Sequence, residues 1–252
     1  MARRRQARIN SERPQRPAWL QRLPLIGALL AVLVVVAATA TWLVDPEHLP
    51  LRTVRVEGEL QHVTSIEVRQ AVRPFATAGF LRVDIGAVRT ALEDLPWVYS
   101  AQVRREWPDV LLVQLKEQRV LARWADGALV NPEGALFRPK DAVATDALPL
   151  LQGPEGTSVM LASHFIELQQ ELTPLALTIT QVTMDERRAW RVKLDNGVEL
   201  MLGRSDHPAR MERFLRAYPH ILQPRVATVA RVDLRYTNGF AVQWREPSHA
   251  GA

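Results

Sequence analysis

The chain contains no cysteine, so no disulfide can staple its fold and nothing in it demands an oxidising or a reducing compartment. Whatever folds here is held by apolar burial. Catalytic signatures are missing too. None of the six histidines (His48, His62, His164, His207, His220 and His249) belongs to an H-E-x-x-H helix, and no two share an i, i+4 helical face. There is no G-x-S-x-G elbow, no P-loop and no Rossmann glycine fingerprint. Ser163 and His164 are adjacent, but neighbours in a helix point in different directions, which makes His164 a helix-surface residue. The sequence therefore points to no enzyme, no cofactor, no metal and no small-molecule substrate, and a membrane-tethered hydrolase has no motif to support it.

A basic folded surface is absent as well. The formal net charge is +5, but seven arginines and one glutamate lie in residues 1–24. The rest holds 25 basic against 26 acidic residues, a net of −1. Nucleic-acid binding would need a basic stripe on the folded part. The positive charge instead marks one side of the feature that dominates the chain. Residues 25–44, Leu-Ile-Gly-Ala-Leu-Leu through Trp-Leu-Val, carry no charge at all. As a helix this run measures about 30 Å, the thickness of a bilayer's hydrocarbon core. Arginines precede it and Asp45-Pro46-Glu47 follows it, which places the amino terminus in the cytoplasm and all that follows outside. Trp19 and Trp42 flank the two ends, as interfacial indoles do. Ala38-Thr39-Ala40 matches a signal-peptidase pattern, but the apolar run is longer than a signal core of about 7–15 residues, so an uncleaved anchor is expected.

The remaining 200 or so residues alternate strand and helix patterns. Leu51–Val56 alternates apolar with polar residues, a half-buried strand. Thr64 or Ser65 caps a helix with Glu67 close behind, its stripe made of Ile66, Val68, Ala71 and Val72 and its end set by Pro74. Asp84 caps a second helix carrying Ile85, Val88, Ala91, Leu92 and Leu95, which Pro96 ends. Two strands follow, Val98–Trp107 and Val110–Glu117, turned by Pro108-Asp109. A second unit opens near Arg119 with short strands parted by Asp126-Gly127 and by Asn131-Pro132-Glu133-Gly134. A helix spans about 158–172, strands cover 177–184, 189–194 and 198–202 with Asn196-Gly197 as a tight turn, and a further helix runs over 208–218.

The last hairpin carries the functional expectation. Its apolar sets are Ala230, Val232, Leu234 and Tyr236, then Phe240, Val242 and Trp244. A two-residue Asn238-Gly239 turn would put these sets on opposite faces. A three-residue loop, Thr237-Asn238-Gly239, pairs Tyr236 with Phe240, Leu234 with Val242 and Val232 with Trp244 on one face, with Gly239 left-handed at a bulge. The strand ending at Trp244 lies near the end of the sequence, a candidate open edge to which another chain can add a strand. Tyr236, Phe240 and Trp244 are residues of the kind that anchor interfaces, and also of the kind that fill cores.

Strand–helix–helix–strand–strand outside a membrane resembles a POTRA domain. The blocks Leu95-Pro96-Trp97-Val98, Arg104-Arg105-Glu106-Trp107-Pro108-Asp109, Leu115-Lys116-Glu117 through Ala122-Arg123-Trp124 and Asn131-Pro132-Glu133-Gly134 resemble the FtsQ family of bacterial cell-division proteins. So do Leu202-Gly203-Arg204 and Val232-Asp233-Leu234-Arg235-Tyr236 with Gly239 and Trp244. Asn238 stands where the family often has Ser, and Phe240 where it often has a small residue. The resemblance implies an α+β chain: a cytoplasmic basic tail (1–24), a transmembrane helix (25–44), a POTRA-like domain (45–118), a mostly antiparallel β domain with two helices (119–247), and a short tail (248–252). It further implies a non-enzymatic, single-pass type II inner-membrane scaffold at the division septum, in contact with membrane lipid and binding FtsB and FtsL by strand addition. A POTRA-type assembly chaperone is the alternative, but neither an internal repeat nor a following barrel is visible. The partner-binding residues so implied are Arg204, Arg235, Tyr236, Asn238, Gly239, Phe240, Val242 and Trp244, with Arg204 pairing an acid on the partner.

Overall fold

The computed structural model describes residues 23–44, 49–140, 145–204 and 207–245; the expected basic tail (1–24) lies outside them but for its last two residues, and the expected C-terminal tail (248–252) lies outside them entirely. Helix α1 (Leu23–Val44) is uncharged over its 22 residues. Its side chains are described from Gly27 to Thr39 and at Thr41 and Trp42. Among the described residues no helix is long and apolar enough to cross a membrane, so the span remains an inference from sequence. Leu29, Leu30 and the valines from Val32 to Val36 are exposed, and none of the described side chains of α1 belongs to either hydrophobic core.

The first folded unit runs β1 (Thr53–Glu57), α2 (Ser65–Ala76), α3 (Ile85–Glu93), β2 (Val98–Glu106) and β3 (Val110–Glu117). Its sheet order is β1-β3-β2, with β1 parallel and β2 antiparallel to β3. Local chemistry sets the helix starts. Thr64 and Glu67 form a reciprocal capping box on α2, and Asp84 accepts the Ala87 amide on α3. Val68, Val72, Val88 and Leu92 pack on Leu111 and Val113. Two expectations are corrected here. Ile66 is exposed, not part of the buried stripe. Pro74 does not end α2, which continues to Ala76. Proline removes one helical hydrogen bond, and Phe75 packing against the core holds the last turn in place.

The second unit is a nine-stranded sheet, β12-β11-β10-β9-β8-β7-β4-β5-β6. Its strands are β4 (Ala122–Trp124), β5 (Leu129–Val130), β6 (Leu136–Phe137), β7 (Leu150–Gln152), β8 (Ile179–Met184), β9 (Trp190–Leu194), β10 (Glu199–Gly203), β11 (Val229–Asp233) and β12 (Ala241–Trp244). Helices α4 (Ser158–Leu172) and α5 (His207–Ala217) supply Leu161, Phe165, Leu168, Met211 and Phe214 to its core. The sheet is mostly antiparallel, but β7 runs parallel to both β4 and β8, and β10 runs parallel to β11. The α+β class holds for both units.

Four connections in this unit share one geometry. Trp124 and Ala128, Asn131 and Ala135, Asp185 and Ala189, and Leu194 and Val198 each close a three-residue loop, the first residue's amide donating to the last residue's carbonyl. The third loop residue has positive φ each time: Gly127, Gly134, Arg188 and Gly197. Such loops match the right-handed strand twist at little cost when glycine takes the left-handed position.

The two units meet through β5 and β6, where Leu129 and Phe137 join the first unit's core and Phe137 packs edge-on against Trp97, 5.4 Å between ring centres. Buried Asn131 donates to Gln118, 2.9 Å away. Glu117 closes the end of β3 by accepting the amides of Gln61, His62 and Val63 at 3.0, 2.9 and 2.7 Å. Burial pushes this carboxyl up, but those three amides and the His62 ring outweigh it and hold the group below the usual glutamate range.

A candidate partner-binding edge

The end of the nine-stranded sheet is built from β10, β11 and β12. Leu200 and Leu202 are fully buried on the core face of β10, and Val229, Val232 and Leu234 continue that face on the next strand. Val229 and Val232 are three residues apart, so simple alternation would place them on opposite sides. A bulge between Val229 and Arg231 restores their parity. Across the parallel β10–β11 pair, Arg231 sits opposite Glu199 and bonds it at 2.7 Å.

The predicted register of the final hairpin is wrong by two residues. Val232 pairs with Val242 and Asp233 with Ala241, whereas Trp244 lies opposite Val229 across the bulge. Tyr236 and Phe240 do not pair. The loop is not the three-residue turn; residues 234–240 connect the strands, and Gly239 does not have a positive φ. The reason is a set of side-chain bonds that the apolar pattern cannot show. Arg235 doubles back on Asp233 through two bonds of 2.9 and 2.7 Å. The Arg213 guanidinium on α5 donates to the Tyr236 carbonyl at 2.9 Å, and the Leu234 amide bonds Met201 on β10. These contacts hold the chain out of the ladder after Leu234. The Arg235 bond also holds the Asp233 carboxyl below the usual aspartate range, against the upward push of partial burial.

Among the described residues β12 is the edge strand, paired on one side only. The Arg245 amide bonds the Thr228 carbonyl at 2.7 Å. Hydrogen-bonding direction alternates along an extended strand, so Ala241 and Gln243 also face β11, and the amides and carbonyls of Val242 and Trp244 face away from the sheet. Val242 and Phe240 are half-buried against the core. Trp244 is 46% exposed and Tyr236 58% exposed, and Asn238 is exposed between them. The aromatic residues thus divide: Phe240 seals the core, and Tyr236 and Trp244 flank the free edge.

Arg204 follows Gly203 at the end of β10. Gly203 has φ +76, and a Cβ there would lie 2.9 Å from Arg210 Nη1 and 3.1 Å from Arg235 Cγ. Glycine is needed both for that backbone conformation and for the guanidinium stems that cross it. Arg235 is thereby laid over the residue next to Arg204, and Arg210 and Arg213 border the same corner. Arg204 also lines a groove of about 380 Å³ with His164, Glu167, Glu171 and Trp190. Partial burial, and then the neighbouring Glu167, push the Glu171 carboxyl upward. The His164 ring stacks on Trp190, 4.7 Å between centres. The expected site residues therefore gather at one end of one sheet. Sequence reasoning missed Arg213, Asp233 and Arg245, which shape that end. Only Asp233 had a local signal, its spacing to Arg235. Among the described residues no group of three or more His, Asp or Glu stands placed to hold a metal ion.

Residues 49–118 match the family described as POTRA domain, FtsQ-type, and residues 122–235 match Cell division protein FtsQ/DivIB, C-terminal. The second match stops at Arg235, before β12. Curated relatives extend the likeness. A "Cell division protein FtsQ" of Xanthomonas campestris is 39% identical over 228 residues, covering 90% of this chain and 80% of the relative. Proteins of the same name from Coxiella burnetii and Aliivibrio fischeri are each 34% identical, covering 88% of this chain and 91% and 89% of their own lengths.

Proposed function

Because the chain belongs to the FtsQ family of cell division proteins, we propose that it is a non-enzymatic scaffold of the division machinery, anchored in the inner membrane by α1 and binding an FtsB/FtsL-like pair through β12. The anchor reading rests on 22 uncharged residues, about 33 Å of helix, behind an arginine-rich tail. It places the two folded units outside the cytoplasm, tethered at the septum by a single type II span. It also accounts for the apolar surface of α1, which neither core covers.

The observation that carries the docking reading is the edge itself. A partner strand laid along β12 completes the bonding of Val242 and Trp244 and covers the exposed rings of Tyr236 and Trp244. Arg204, Arg210 and Arg213 stand at the corner after Gly203, so the partner segment is expected to be acidic where it passes that corner; Arg245 lies at the other end of β10, bonding the Asn196 carbonyl. Arg235 already holds Asp233, so its role in binding is to shape the loop. The test is co-purification of full-length chain with an FtsB–FtsL pair from membranes. Trp244→Asp and Tyr236→Asp are expected to abolish capture while leaving the unfolding temperature unchanged. Capture that survives both changes rules the edge out.

A further inference from the structure

The first folded unit has an unpaired edge of its own. β1 bonds β3 on one side, and the order β1-β3-β2 leaves its other side without a strand among the described residues. Along that side β1 and α2 frame a groove of about 390 Å³. Its floor includes Leu51 and Val54, Ile66 stands 58% exposed at its mouth, and Arg52, Arg69 and Arg73 rim it. Among the described residues no acidic side chain lines it. Among the described residues Arg69 and Arg73 form no ion pair, and the carboxylate nearest to Arg52, that of Asp109, is 3.9 Å away. Arg69 and Arg73 beside an apolar trough and an open strand form a combination the unit's own folding does not consume, while Arg52 is loosely paired with Asp109.

We propose that this groove is a second docking site, which takes an extended acidic segment of another protein with apolar residues at alternate positions. The strand edge selects an extended chain, because only a strand presents donors and acceptors at the β1 spacing. The period of two then sends one set of side chains into the trough over Leu51 and Val54. The charge follows from the rim, where carboxylates would find Arg69 and Arg73 without ion pairs of their own among the described residues. This site lies on the other folded unit from β12 and does not depend on the reading of that edge.

The experiment uses full-length chain in phosphatidylcholine nanodiscs and a fluorescein-labelled peptide of alternating Val and Glu, read by anisotropy. Saturable binding is expected, weakened about ten-fold by Arg69→Glu with Arg73→Glu, two exposed charge reversals of modest worth each. Ile66→Asp is expected to weaken it as well, and an unchanged unfolding temperature shows that each variant is folded. A peptide of the same composition with Val and Glu in separate blocks is expected not to bind. The proposal falls if no saturable binding occurs, if the arginine reversals leave affinity unchanged, or if the block peptide binds equally well. It also falls if binding appears only in Asp45→Asn with Glu47→Gln, which would assign the groove to the chain's own linker. Loss of peptide binding in Trp244→Asp would move the peptide to β12. An effect of the arginine reversals on anionic vesicles alone would make the rim a lipid contact.

Discussion

The two ends of the nine-stranded sheet are opposites. At one end β6 has two residues, follows a tightly closed three-residue loop, and sends Phe137 into the core it shares with the first unit. At the other end β12 has four residues, follows a slack seven-residue connection, and shows Trp244 and Tyr236 to solvent. Proteins blunt sheet edges that could pair with the wrong chain, and very short strands are one way to do so. The β6 end follows that rule and the β12 end does not. Loops also separate the ends. Every tight turn of the unit puts a residue with positive φ at its third loop position, whereas Gly239 does not adopt that conformation and Arg235 clamps back on Asp233. The contrast teaches that the unit could have closed its last hairpin as it closed the other four, and that its side chains hold the hairpin open.

The largest expected effect falls on the second unit's own core, beneath the β12 end. Phe214 is fully buried beneath β10, and Phe214→Ala should cost about 3–5 kcal/mol in denaturant unfolding. Next come the edge variants. Trp244→Asp should cost about 2–4 kcal/mol of partner affinity by titration calorimetry, the range of an interface anchor, with little change in stability. Leu136→Asp on β6 should leave that affinity unchanged; equal losses at both ends would erase the distinction.

The loops offer a smaller test. A Cβ on Gly134 would lie 2.3 Å from the Val159 Cα, at φ +82. Gly134→Ala should therefore lower stability by at least about 2 kcal/mol, through clash and left-handed strain together. Nothing lies within 4 Å of a Cβ on Gly239, so Gly239→Ala should stay within about 0.5 kcal/mol.

The smallest effect belongs to the end of β3, which Glu117 seals. Its carboxyl titrates below the usual range in the folded chain. The unfolded chain therefore binds a proton first as pH falls. The stabilisation is fully present above the unfolded glutamate value of about 4.3 and is lost as pH drops through the folded one. Unfolding followed from pH 7 to 3 should show a shallower acid slope in Glu117→Gln than in the parent chain.

How much of this could be read from sequence depends on the range of the interactions. The caps at Thr64 and Asp84 are local, and so they were legible. The β-α-α-β-β order followed from short periodic segments and their turn residues. The open end was legible because the last strong apolar alternation ends at Trp244. The register was not, because it depends on a bulge at Ala230, on Arg213 reaching from α5, and on Arg235 choosing Asp233. Pro74 misled because the packing of Phe75, a tertiary contact, offsets a local penalty. The parallel placement of β7 between β4 and β8 left no mark in periodicity at all.

Backbone amide exchange at β12 tests the central claim most directly, measured residue by residue in the free chain and with an FtsB–FtsL pair bound. Strand addition predicts that the Val242 and Trp244 amides, which face away from β11, become strongly protected on binding, while those of Ala241 and Gln243, already facing β11, change little. Tight binding that leaves Val242 and Trp244 exchanging as fast as in the free chain would contradict it.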